Sequence, residues 1–184
     1  PPSLLNVYNN AAATCPGLPW QVLAAVGFIE SGHGGGRLDA ATGAVQPPIL
    51  GPALDGNGLA RIPDTTMSDG WAHALGPMQF LSTTWTSAGR LAPGRPPGLR
   101  PDVHNAWDAI YSAAAYLCGG AGPLTDLDAA VLRYNHSQKY LDDVMAKAAE
   151  YGLGVVVGAD GMFCPVAGPV AFTNDWGNPR SGGR

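Results

Sequence analysis

Charge is scarce in this chain. Lys, Arg, Asp and Glu together make up 13% of 184 residues, and the formal net charge is −4. There is no basic stripe, so binding to nucleic acid through counterion release is excluded. No apolar run reaches the length of about 18 residues that a membrane-spanning helix needs, so no membrane span is expected. Cysteine is scarce too: three residues are few for a disulfide scaffold, and they suggest one bridge with one thiol left over. His33, His73, His104 and His136 lack the spacing of metal ligands and read as solvated or core residues. No cofactor and no metal are expected. The chain opens on Pro1 rather than Met, and the expectation is an export signal that has been removed or lies outside the sequence.

Periodicity is missing from residues 34–70. Pro47-Pro48, Asp55-Gly56-Asn57-Gly58 and Pro63-Asp64 are turn signals there. A stretch that long inside a compact domain is usually a binding loop or a lid. Asp55, Asn57 and Asp64 sketch a calcium loop, but the acidic residue that closes such a loop is absent.

What is present is mostly helical pattern. Residues 3–13 read as a short helix capped by Ser3, with Leu4, Val7, Tyr8 and Ala11 on one side. Pro19 suits a helix start, and the apolar stripe Trp20, Leu23, Ala24, Gly27 and Phe28 follows at helical spacing until Gly32 stops it. Ser82-Thr-Thr-Trp85 opens a short helix. Asn105 and Asp108 look like a capping pair ahead of a helix with Trp107, Ile110, Tyr111, Ala114 and Leu117 on one face. Thr125 and Asp128 repeat that pattern before Val131, Leu132 and Tyr134. The last helix turns Leu141, Val144, Met145 and Ala148 inward and ends at Gly152. The sum is six helices and an all-α fold with long loops, large enough for one full core. Cys15 stands just before the second helix and Cys118 at the end of the fourth, so a Cys15–Cys118 disulfide is expected to tie the two together. Two buried free thiols are the alternative.

Glu30 lies in the last turn of the second helix. The carbonyl ends of a helix carry partial negative charge and apolar neighbours withdraw solvent, and both favour the protonated acid. A carboxylic acid kept protonated near neutral pH is what a glycosidic leaving oxygen needs from a general acid. The alternative is a surface glutamate at a frayed helix end. Amides and phenols, such as those of Gln79, Asn135 and Tyr134, suit a neutral sugar, which offers both donors and acceptors. Phe80, Trp85 and Tyr134 suit its C–H faces, or for Phe80 and Trp85 the core.

Four stretches in order carry a resemblance. They are Glu30-Ser31, Gly76-Pro-Met-Gln79-Phe80-Leu-Ser-Thr-Thr-Trp85, residues 107–117 and Arg133-Tyr134-Asn135 through Tyr140. Together they resemble the lytic transglycosylases of the membrane-bound lytic transglycosylase B type, particularly secreted actinobacterial members, over about residues 3–152. The resemblance implies a lysozyme-like helical domain (goose-type or soluble lytic transglycosylase-like). It also implies cleavage of the β-1,4 bond from N-acetylmuramic acid to N-acetylglucosamine in peptidoglycan. It puts Glu30 at the catalytic position and Ser31, Met78, Gln79, Phe80, Tyr134, Asn135 and Tyr140 in contact with substrate. Members often carry a hydroxyl side chain upstream of the glutamine, and Ser68 is the candidate for it here.

Ordinary glycosidases flank the bond with two carboxylates, and the motifs supply one. Asp39, Asp55, Asp64 and Asp69 lie in the long loop, and Asp108 reads as a cap. Substrate assistance is the known alternative, and the resemblance implies it: Glu30 acts as acid and then base, leaving a 1,6-anhydromuramyl end. A muramidase that hydrolyses the same bond, and an idle glycan-binding or phage-tail module, are the other readings. The expected partner is the glycan strand, met by a monomeric, secreted or cell-wall-associated chain, with a phage virion as the other setting. Residues 1–153 form the helical domain and 154–162 a linker. Residues 163–184, from Phe163-Cys-Pro-Val-Ala-Gly-Pro onward, resemble the opening of a lysostaphin-type zinc endopeptidase domain without its metal motif, so no zinc chemistry is expected.

Overall fold

The computed structural model describes residues 3–57, 60–120 and 122–152, with the backbone alone of 155–157 and 163–165. Two compact units divide between Leu153 and Gly154. The first is all-α, built from α1 (Leu4–Ala13), α2 (Trp20–Gly35), α3 (Ser82–Ala88), α4 (Ala106–Cys118), α5 (Leu127–Tyr134) and α6 (Gln138–Glu150). None of the described helices is long and apolar enough to cross a membrane. In the second unit the β-branched run Val155–Val157, expected as linker, pairs antiparallel with Phe163–Pro165. The rest of the expected linker and the peptidase-like stretch lie outside the described residues.

α2 is the centre of the first unit, packed against α1, α4 and α6. Val22, Leu23, Ala24, Ala25, Val26 and Gly27 are all buried, so the helix is apolar on every side in its middle. That corrects the single stripe expected from the sequence: Phe28, placed in the stripe, is 40% exposed. Helices on several sides of α2 leave no solvent face there. Small residues permit the close approach; a Cβ added at Gly27 would sit 2.0 Å from the Tyr8 hydroxyl and 3.2 Å from the Met78 sulfur.

Local signals decide most helix starts. The Ser3 hydroxyl accepts from the Asn6 N–H, Asn105 Oδ1 from the Trp107 and Asp108 N–H groups, and the Ser137 hydroxyl from the Tyr140 N–H. Two capping expectations need correction. The cap of α5 is Asp126, which accepts from the Ala129 N–H, and not Thr125. Starting one residue later points Leu127 into the core. Asp108 does not reach back to its cap. It is fully buried, and its two oxygens accept from the Ala92 N–H at 2.8 Å and the Asp102 N–H at 3.0 Å. Arg95 neutralises it at 3.4 Å. The carboxylate is therefore a structural anchor for the Pro/Gly-rich loop over 89–105.

Cys15 and Cys118 form a disulfide with Cα atoms 5.7 Å apart, tying the α1–α2 turn to the end of α4. The long loop is held by single bridges such as Leu38 with Val45, Leu50 with Leu75 and Pro63 with Trp71. Frequent Gly and Pro stop each bridge from growing into a strand. Asp39, Asp55, Asp64 and Asp69 each close a local turn, onto Ala41, Asn57, Thr66 and Trp71 respectively.

Candidate active site

α2 delivers Glu30 in its last regular turn, because Gly32 takes a left-handed φ of 58° and breaks the helix directly after Ser31. Glycine adopts that conformation without steric cost. The carboxyl is turned inward and Tyr140, from the first turn of α6, donates its hydroxyl to Glu30 Oε1 at 2.5 Å. Burial pushes the Glu30 carboxyl from its ordinary value of 4.5 up to about 7, and the Tyr140 bond opposes part of that rise. The same acid is thus protonated in weakly acidic solution and ionised in weakly alkaline solution. With Oε1 engaged by the phenol, Oε2 is the oxygen left free to carry and pass on a proton.

The second wall is a tight hairpin. Leu75 and Phe80 exchange backbone hydrogen bonds, N–H to O, at 2.8 and 3.0 Å, and residues 76–79 make the reversal between them. Gly76, at φ 70°, is required there: a Cβ would fall 1.9 Å from the Val103 carbonyl oxygen. Gln79 also takes a left-handed φ of 52°, a conformation costing a non-glycine residue roughly 1–2 kcal/mol. Strain of that kind collects at functional sites when the surroundings enforce it. The surroundings here are specific. Ser31 Oγ donates to the Pro77 carbonyl at 2.6 Å, and the Tyr134 hydroxyl donates to the Met78 carbonyl at 2.7 Å. The ends of α2 and α5 therefore clamp the hairpin from two directions, while Gln79 Nε2 donates to Gly76 O at 2.8 Å.

Aromatic rings join the two walls. Tyr134 and Tyr140 stack with centroids 6.5 Å apart and planes within 2°. Phe80 packs on Trp85, Tyr116 and Tyr134. Burial first, and then the neighbouring Glu30 charge, raises both the Tyr134 and Tyr140 phenols, so they remain neutral donors. A second polar set gathers at the end of α2. His33, also left-handed at φ 59°, bonds the Tyr8 hydroxyl through Nδ1 at 2.9 Å and the Tyr151 hydroxyl through Nε2 at 3.1 Å. Burial lowers its pKa, favouring the neutral ring.

Of the residues singled out in the sequence, Glu30 and Tyr140 meet directly, and Ser31, Met78, Gln79, Phe80 and Tyr134 meet through the hairpin. Met78 is buried and presents its carbonyl rather than its side chain to Tyr134. Asn135 caps the end of α5 and is exposed, and its side chain makes no hydrogen bond among the described residues. Ser68 is exposed in the turn after Met67 and does not bond the hairpin. His33 and His73 are bonded inside the fold rather than solvated. Sequence reasoning missed Tyr116 as a member of the aromatic cluster and missed the Tyr8–His33–Tyr151 set. Nothing in the spacing announces either one. Among the described residues no group of three or more His, Cys, Asp or Glu is placed to hold a metal ion. Comparison of the chain with protein-family models, curated proteins and solved structures gives no match.

Proposed function

We propose that this chain is a peptidoglycan lytic transglycosylase with a lysozyme-like helical domain. On this reading it cuts the β-1,4 bond between N-acetylmuramic acid and N-acetylglucosamine, with Glu30 as the reacting group. The observation that carries the reading is the Glu30 carboxyl, lifted to about 7 by burial beneath a neutral tyrosine donor and beside a strained amide-bearing hairpin. A general acid works best when its pKa lies near the operating pH. Glu30 gives its proton to the leaving glycosidic oxygen as the C–O bond breaks. It then takes a proton from the muramyl 6-hydroxyl as that oxygen closes on the anomeric carbon. No water is consumed, and the product end is a 1,6-anhydro sugar.

The engagement of the loop aspartates and of Asp108 favours this closure over hydrolysis. Each loop aspartate is occupied in its own turn, and Asp108 is buried beneath the 89–105 loop. The attacking group is then left to the substrate. The chain would act on glycan strands as a secreted or cell-wall-associated protein. The experiment is digestion of purified peptidoglycan followed by mass spectrometry. Anhydromuramyl ends, absent with Glu30→Gln, are expected. Reducible muramic ends as the main product would make the enzyme a hydrolase, and no cleavage at all would leave a glycan-binding module.

A further inference from the structure

A concavity that shares no residue with the Glu30 site has a cavity volume of about 410 Å³. That lies within the range of small-molecule sites. Its platform is Trp107 and Tyr111, one helical turn apart on the outer side of α4 and both half-buried. Asn10 of α1 faces them, and Ala92, Pro93 and Gly94 close the other side. The lining carries no charged side chain.

Three features mark this as a built site. The indole is fixed, because Gly43 packs against it so closely that a Cβ there would lie 2.7 Å from the ring. The loop wall is fixed as well: the buried Asp108 carboxylate accepts from the Ala92 N–H at 2.8 Å and pairs with Arg95, next in chain to Gly94. Burying a carboxylate is costly unless it is fully partnered, and this one holds the backbone of an otherwise exposed Pro/Gly loop in place. Lastly, the exposed Asn10 amide and the half-buried Tyr111 hydroxyl make no hydrogen bond among the described residues and stay open to a ligand at the rim, unlike the neighbouring Asn9 amide, which donates to the Leu5 carbonyl. An amide and a phenol supply donors and acceptors of both kinds without charge.

We infer that this cavity binds a neutral N-acetylhexosamine unit, its ring face on Trp107 and Tyr111 and its hydroxyls on Asn10 and Tyr111. The absence of charge disfavours phosphate and carboxylate ligands. The methyl-sized apolar groups of Val7, Ala41 and Ala92 in the lining suit an acetyl group. This site needs no chemistry from Glu30 and would hold a glycan whether or not that residue is catalytic.

The test is NMR titration of the ¹⁵N-labelled full chain, carrying Glu30→Gln so that the probe is not consumed, with tri-N-acetylchitotriose. Saturable shifts of the Trp107 indole N–H, the Gly94 amide and the Asn10 side-chain amide are expected. Tyr111→Phe and Asn10→Ala should each weaken that binding about fivefold, the worth of one hydrogen bond, with unchanged thermal stability. Absence of these shifts overturns the proposal, as do shifts confined to the residues around Gln79 and Tyr134, or undiminished affinity in both variants. Lysis is not read in this experiment, so failure of the Glu30 assignment leaves the outcome intact.

Discussion

Replacing Glu30 with glutamine has a consequence for stability that can be worked from the structure. The folded protein holds this carboxyl at about 7 against an ordinary 4.5, chiefly by burial. The fold therefore binds a proton that the unfolded chain releases, and stability falls as pH rises between those two values. By pH 8.5 the ionised carboxylate costs the fold up to about 3 kcal/mol, at 1.36 kcal/mol per pH unit. At pH 5 the cost is about 1 kcal/mol or less by the same relation. Glutamine carries no charge, and its amide oxygen can still accept from Tyr140. The Glu30→Gln chain is thus expected to match the parent within about 1 kcal/mol at pH 5 and to exceed it by about 2–3 kcal/mol at pH 8.5. Urea unfolding followed by circular dichroism at the two pH values, with the disulfide intact, measures this directly. An equal difference between the two chains at both pH values would refute the reasoning, because the carboxyl would then titrate as an ordinary surface glutamate.

Tyr140→Phe removes the hydrogen bond that opposes the rise at Glu30. The alkaline limb of the pH–rate profile should move up by about one unit, and a downward move would contradict the geometry. Asp108→Asn leaves Arg95 without its carboxylate and sets an amide against two N–H donors. A loss of about 3 kcal/mol or more is expected in urea. Reducing the Cys15–Cys118 bond, whose partners are 103 residues apart, should cost up to about 4–5 kcal/mol in the chain-entropy picture. Thiol titration of the unreduced, unfolded chain should find a single reactive group. His73 sets Nδ1 2.7 Å from the Gly51 carbonyl oxygen and Nε2 2.9 Å from Asp69 Oδ2, two acceptors that require both ring protons. The Gly51 carbonyl, then Asp69, with Asp64 nearby, raise its pKa above 6.5. This contribution is complete below 6.5 and lost as pH rises through the folded value, so ¹⁵N NMR should find the His73 ring titrating above an ordinary imidazole, and His73→Gln should remove that part of the decline in stability.

The sequence alone determined the parts of the molecule whose causes lie within a few residues. Ser3, Asn105 and Ser137 cap their helices by bonding N–H groups two or three positions ahead. Gly32 ends the regular part of α2 by its own backbone freedom. Spacing at three and four residues marked most of what α6 buries, but in α4 it marked only Ile110, Ala114 and Leu117, while Trp107 and Tyr111 stay half-buried. Apolar neighbours on the same helix made a raised Glu30 carboxyl legible in the sequence, and burial is the cause the structure gives for it. Tertiary structure decided what surrounds that carboxyl. The Tyr140 hydroxyl comes from 110 residues away, and the clamps on the hairpin span 46 and 56 residues. Asp108 was misread as a reciprocal cap because a local pattern was available, whereas its real partners, Ala92, Arg95 and Asp102, sit on a loop with no pattern. The stripe on α2 was misread because periodicity reports an exposed face only where solvent remains on one side, and packing on several sides removes it. Caps and periods act through one or two helical turns of backbone, while the register between distant elements is set by which side chains fill the core together, and no short window of sequence contains that information.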